Sequence, residues 1–286
     1  MSGQISTLKF NAVIEGTEKV HSFVKRLLGI AEFYHKDTMI LTISEESFLL
    51  FRGGDSALST SMTELWLNNK QCFDQYEFME TERGQVSFEV ESEQIFDALK
   101  GLDMLKLRID LLKLRVVQVD SNLHLRIKIP NLNATHDVTT DLKPLVDSNE
   151  YRMPSNNRDY ISVLIAESSR LEKILNGFKH MNLNVLEIIL CVSKKEMRIC
   201  GTDTGCKSTV ILKDLSLRQH IGSSDNNDVT DSVKVRVSLQ NLHTLFRNFV
   251  DAAEPLEIRV ANEDSARFIL KKLDGIFTLF ISHQNL

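Results

Sequence analysis

The sequence predicts an α+β fold of two similar domains, each with two strand-helix-strand units and its helices on one layer of antiparallel sheet. Three observations predict it. Apolar residues recur at helical spacing in four places, and between these places the period falls to two. The four helix starts lie 75, 76 and 70 residues apart in a chain of 286. Spacing this even, close to a quarter of the chain, predicts one supersecondary unit used four times.

The first helix is expected from Thr17, with Val20, Phe23, Val24, Leu27 and Leu28 on one face. The second starts at Ser92 with Ile95, Phe96, Leu99 and Leu102, and the third at Ser168 with Leu171, Ile174, Leu175, Phe178 and Met181. The fourth starts at Ser238 with Leu239, Leu242, Leu245, Phe246 and Phe249. Each starting hydroxyl residue is a suitable N-cap, because its oxygen can accept from an N–H of the first turn.

Strands follow from alternation. Val86, Phe88 and Val90 form one, Leu105, Leu107 and Ile109 another, and Leu123, Leu125, Ile127 and Ile129 a third. Val233, Val235 and Val237, then Leu256, Ile258 and Val260, repeat the pattern late in the chain. Pro144, Pro154 and the polar run Ser155 to Asp159 mark a linker over 143–159, between an N-terminal domain 1–142 and a C-terminal domain 160–286. The polar stretch from Arg218 to Asp231 reads as an exposed, mobile loop.

Composition narrows the function classes. Hydrophobic residues are 42% and charged residues 26%, values of an ordinary folded soluble protein, and only 12 Gly and 4 Pro interrupt it. The four cysteines, Cys72, Cys191, Cys200 and Cys206, lack CxxC spacing and read as reduced intracellular thiols. The opening Met-Ser-Gly-Gln-Ile-Ser has no basic leader and no long apolar run follows, so neither secretion nor a membrane span is expected. No Lys/Arg run marks nuclear import.

Motifs of catalysis are missing. The run Gly201-Thr-Asp-Thr-Gly205-Cys-Lys207-Ser208 has one residue too few between its glycines for a phosphate loop, and Cys206 stands where that loop needs Lys. A tight turn between two strands accounts for it better. His136-Asp137 has no further ligand at metal spacing, and no GxSxG, HExxH or EF-hand loop occurs. No cofactor or metal is expected.

Charge is more informative. The net charge is -5, yet the four helical windows hold Lys19, Lys25, Arg26, Lys100, Arg170, Lys173, Lys179 and Arg247 against Glu18, Glu93, Asp97 and Glu172. The helices are therefore +4 and the remainder -9. Both a solvated face and a phosphate-neutralising face have this pattern.

The four-unit plan resembles a sliding DNA clamp, and the local motifs resemble one of its families. Leu8-Lys-Phe-Asn-Ala-Val-Ile14, Glu64-Leu-Trp66, Cys72-Phe-Asp-Gln-Tyr-Glu-Phe78, Val86-Ser-Phe-Glu-Val-Glu91 with Ala98-Leu-Lys100, Thr135-His-Asp-Val138 and Lys213-Asp-Leu215 occur in the order found in the Hus family. These are the hydroxyurea-sensitivity subunits of the heterotrimeric checkpoint clamp, the nine-one-one complex.

The resemblance implies a processivity-fold ring of three non-identical chains, with the basic helix residues facing duplex DNA in the hole without sequence specificity. Its implied partners are two paralogous Rad-type subunits, a clamp loader, and repair and checkpoint proteins, in the nucleus and away from membranes. It also implies subunit edges at Thr135 to Leu142 (through Thr135, His136, Asp137 and Val138) and at Cys206 to Lys213 (through Cys206, Ser208, Thr209, Val210 and Ile211). It implies no enzymatic activity. Two alternatives stand beside it: a homotrimeric polymerase processivity clamp, and a metal-dependent hydrolase using His124, His136 and Asp137.

Overall fold

The computed structural model describes residues 8–34, 37–52, 61–79, 84–104, 108–119, 122–143, 159–203, 206–221, 231–250 and 254–284. The chain forms two compact units. One is built on Met1–Ser56, Glu64–Arg152 and Lys272–Ile276, the other on Ala57–Thr63, Met153–Lys271 and Phe277–Leu286.

The first unit runs β1 (Lys9–Glu15), α1 (Thr17–Phe33), β2 (Thr38–Ser44), β3 (Ser47–Arg52), β4 (Ser61–Asn68), α2 (Asn69–Cys72), β5 (Gln75–Met79), β6 (Gln85–Glu91), α3 (Ser92–Met104), β7 (Leu111–Val119), β8 (Asn122–Ile129) and β9 (Ala134–Lys143). Its strands lie in the order β4-β3-β2-β6-β9-β8-β7-β1-β5. Helices α1 and α3 pack together. Beneath α1 lies an aromatic cluster in which Phe23 meets Phe48 and Phe73 at 6.1 and 5.7 Å, while Tyr76 meets Phe10 and Phe73 at 5.6 and 5.2 Å. The Cys72 to Phe78 stretch thus serves the core, and burial pushes the Cys72 thiol up to about 12.

The second unit runs β10 (Tyr160–Ile165), α4 (Ser168–His180), β11 (Val185–Cys191), β12 (Glu196–Asp203), β13 (Cys206–Leu212), β14 (Leu217–His220), β15 (Ser232–Ser238), α5 (Leu239–Asn248), β16 (Leu256–Ala261), β17 (Ser265–Lys272) and β18 (Gly275–Ser282). Its strands are ordered β14-β10-β16-β17-β18 and β13-β12-β11-β15. Each long helix of the protein directly follows a strand, namely β1, β6, β10 or β15, which is the repeated unit expected from the spacing.

The helix starts differ in chemistry. Ser238 caps α5 as expected, its hydroxyl accepting from Asn241 N at 3.3 Å. Thr17 does not cap α1, because it is the first helical residue, and Gly16 takes the cap position at φ 95°, a turn that costs glycine no Cβ clash. Ser92 and Ser168 likewise open α3 and α4 from inside the helix and are fully buried. The Ser92 hydroxyl donates to the Tyr34 carbonyl, tying α3 to the end of α1.

Two expectations change in part, and a third falls mainly outside the described residues. Of the strand expected at Leu105 to Ile109, 105–107 lie outside the described residues, while α3 reaches Met104 and Ile109 is buried ahead of β7 without joining a strand. The loop expected from Arg218 begins later, because Leu217–His220 pairs with β10, while 222–230 lie outside the described residues. Of the linker 143–159, Lys143 closes β9 and Asp159 leads into β10, and 144–158 lie outside the described residues. The glycine-rich run joins β12 to β13, with Asp203 paired to Cys206, and 204–205 lie outside the described residues. A Cβ at Gly201 would stand 2.3 Å from Leu183 Cδ1, so that side chain would have to shift to admit one.

Candidate DNA-facing helices and subunit edges

The eight basic helix residues do not form one class. Arg26 is expected to face DNA in the ring hole, but it is 7% exposed and its guanidinium donates to Asp274 at 2.8 Å. Consecutive helical residues point about 100° apart, so Lys25 and Arg26 cannot share a face. Arg26 falls on the side of α1 carrying Phe23, Leu27 and Ile30, all buried. It is a structural residue and is withdrawn from the DNA-facing set.

Lys19 donates to Asp74 at 2.7 Å, and Lys100 pairs with Asp97 at 2.5 Å one turn away. Burial works to raise the Asp74 carboxyl, but the Lys19 ammonium and the Glu15 N–H overcome it and hold the group below the usual carboxylate range. Lys25 is half-buried, and Arg247 is exposed beside Asn248.

On α4, Arg170, Lys173 and Lys179 are exposed and form no ion pair among the described residues. Leu171, Leu175 and Phe178 turn the opposite side of this helix into the core. Positive charge is therefore most available on α4. Beside it on α5, His243 shares a 2.9 Å hydrogen bond with Asn176.

The second candidate surface is backbone. In β13, Cys206 to Leu212 pair with β12, and no strand lies on their other side among the described residues. Lys207, Thr209, Ile211 and Lys213 are exposed, whereas Ser208 and Val210 are half-buried. Ile211 is 42% exposed, an apolar side chain beside an open ladder. The Cys206 side chain lies outside the described residues.

The β9 strand is open only in part. It pairs with β8 along Ala134 to Thr140, but Thr140 to Lys143 also pair with β6. The expected edge from Thr135 to Leu142 is corrected accordingly. At the boundary, Thr139 N donates to Gln94 Oε1 at 2.7 Å, so this N–H is already satisfied from α3. Alternation aims the N–H groups of Thr135 and Asp137 the same way, leaving an open stretch over 134–138. Val138 is 1% exposed, so its side chain belongs to the core and only its backbone can serve an edge.

The residues of the hydrolase alternative meet on β8 and β9, and the Asp137 carboxylate is already engaged. Both Asp137 oxygens accept from the Arg126 guanidinium, each at 2.7 Å, in a fork across the strands. That bonding holds the Asp137 carboxyl below its ordinary range, making it a weak base. His124 and His136 lie opposite Thr139 and Ile127, while Asp137 lies opposite Arg126, which takes its carboxylate. Among the described residues no group of three His, Cys, Asp or Glu is placed to hold a metal, and no described helix is long and apolar enough to cross a membrane.

The fold is that of a sliding clamp. A crystal structure of PCNA from Thermococcus kodakaraensis is similar over 96% of this chain and 100% of that one, with a TM-score of 0.68 at 13% identity. At that identity the likeness speaks for the fold. The sequence matches the Hus1-like protein family over residues 8–285, and the chain belongs to that family. A search among curated proteins found no significant match. The protein is of the clamp type, and neither similarity indicates an enzyme family.

Proposed function

We propose that this chain is a non-catalytic subunit of a heterotrimeric, DNA-encircling checkpoint clamp, acting in the nucleus as a scaffold for DNA-damage signalling and repair. The observation that carries the reading is the open side of β13, with Ile211 exposed beside it. An unpaired strand edge invites association, and a ring satisfies it by pairing each chain with a neighbour. The open stretch of β9 offers a second, non-identical edge, as a head-to-tail ring needs. Family membership supports paralogous Rad-type subunits as the neighbours.

Exposed Arg170, Lys173 and Lys179 then supply phosphate contacts that do not read bases. Thr135, His136 and Asp137 would line one junction, and Cys206, Ser208, Thr209, Val210 and Ile211 the other. A clamp loader would open the ring. Topology tests this: the assembled complex, loaded on a nicked circular duplex, should stay bound through a high-salt wash and be released when the circle is linearised. Equal retention on linear and circular DNA would refute encirclement.

A further inference from the structure

In the second unit, one face of the sheet β14-β10-β16-β17 is turned away from the core. Ile161, Val163, Ile258, Val260, Phe268 and Leu270 point inward and are buried. The residues between them point outward, and their register places charges in a row. Arg218 lies opposite Ser162, Ser162 opposite Arg259, and Arg259 opposite Arg267. Three arginines thus share one line across four adjacent strands, a span of about 14 Å at the usual strand spacing.

Like charges directly opposite one another destabilise a sheet, and the local compensation is incomplete. Among the described residues of these strands Glu257 is the acidic one on this face, and it accepts from both Arg259 at 2.6 Å and Lys271 at 3.0 Å. Four cations, Arg218, Arg259, Arg267 and Lys271, therefore lie on this one face in a chain whose net charge is -5. Arg218 is exposed and forms no ion pair among the described residues.

The aromatic rings here hold cations rather than offering themselves to bases. Tyr160 stacks on His220 at 4.4 Å from the β14 side, and Arg259 lies over its ring at 5.3 Å from the β16 side. Arg267 lies 5.5 Å over Phe280. With both sides of Tyr160 occupied, that ring offers a nucleobase no face to stack on, which removes one source of affinity for single-stranded nucleic acid. Guanidiniums held on aromatic faces keep their planar N–H forks oriented for carboxylates.

We propose that this face docks an extended acidic peptide segment of a partner protein, lying across the strands along the Arg218, Arg259 and Arg267 row. Charge complementarity selects the occupant. Leu164, 58% exposed and in the adjoining row opposite Glu257, gives the segment one apolar contact.

The probe is a fluorescein-labelled ten-residue poly-glutamate peptide, with labelled single-stranded dT20 in parallel, titrated by anisotropy into the full-length protein at low salt. R218E/K271E changes two exposed side chains and should weaken the peptide about tenfold, and R218Q/K271Q several-fold with an unchanged melting temperature. R170E/K173E on α4 should keep the peptide affinity within twofold of wild type. Peptide affinity unaffected by the Arg218 and Lys271 variants would overturn the proposal. So would a loss caused instead by R170E/K173E, an absence of peptide binding to the wild type, or a loss confined to dT20, which would mark a nucleic-acid surface.

Discussion

Replacing Arg170, Lys173 and Lys179 together by glutamate removes the three helix cations that are exposed and have no ion pair among the described residues. If each meets one phosphate, about 0.9 counterion is released per contact, so the three contribute a slope near -2.7 in log affinity against log salt. Between 50 and 200 mM salt that slope is worth roughly 40-fold per subunit. The triple variant should lose this share of salt dependence and bind more weakly at every salt concentration. The assay is anisotropy of a labelled duplex with the assembled complex over that range. Lys19→Gln with Lys100→Gln is the comparison, because those cations already face Asp74 and Asp97 and should leave the slope nearly unchanged. A triple variant with the wild-type slope, or a comparison variant that lost more of it, would refute the assignment of α4 as the DNA-facing helix.

Gly201→Ala forces a methyl to within 2.3 Å of Leu183 and 3.1 Å of Phe178, an overpacking cost of about 1–3 kcal/mol that thermal melting should show as a lower Tm. Thr209→Pro and Val210→Pro should behave differently from each other, because successive N–H groups of β13 point to opposite sides. One should cost about 3 kcal/mol by breaking the β12 ladder, and the other should keep its Tm but lose yield in co-purification with neighbouring subunits. Arg126→Ala should return the Asp137 carboxyl toward its ordinary range, visible by NMR titration. With its pKa depressed in the fold, Asp137 adds stability above the ordinary carboxylate pKa and loses it as pH falls through the depressed value. The acid limb of a pH-stability profile should therefore flatten in this variant.

The repeated plan is legible in the sequence because four helices carry an apolar stripe on one side, and burial enforces that stripe wherever a helix covers a sheet. Strands such as Asn122–Ile129 are legible for the same reason, with Leu125, Ile127 and Ile129 buried between polar residues. The short β14 is not, since Leu-Arg-Gln-His has no alternation strong enough to distinguish it from a loop, and only pairing with β10 makes it a strand. Caps at Thr17 and Ser168 misled because a hydroxyl residue near a helix start fits either side of the boundary. Charge counting places α4 among four basic helices but cannot separate Arg26 from Lys25, because Arg26's partner Asp274 lies 248 positions away. Edge strands present the reverse case: β9 and β13 are legible as strands, but which of their sides stays open depends on Gln94 and β6, contacts remote in sequence.

Mass in solution tests the central claim most directly. The chain is 32.6 kDa, and native mass spectrometry of it alone, then co-expressed with two paralogous clamp subunits, separates the possible assemblies. The account predicts no closed ring from the chain alone, and one copy of it beside one copy of each paralogue in the co-expressed complex. A stable homotrimer at about three times 32.6 kDa from the chain alone would contradict it, and would make this a self-assembling clamp.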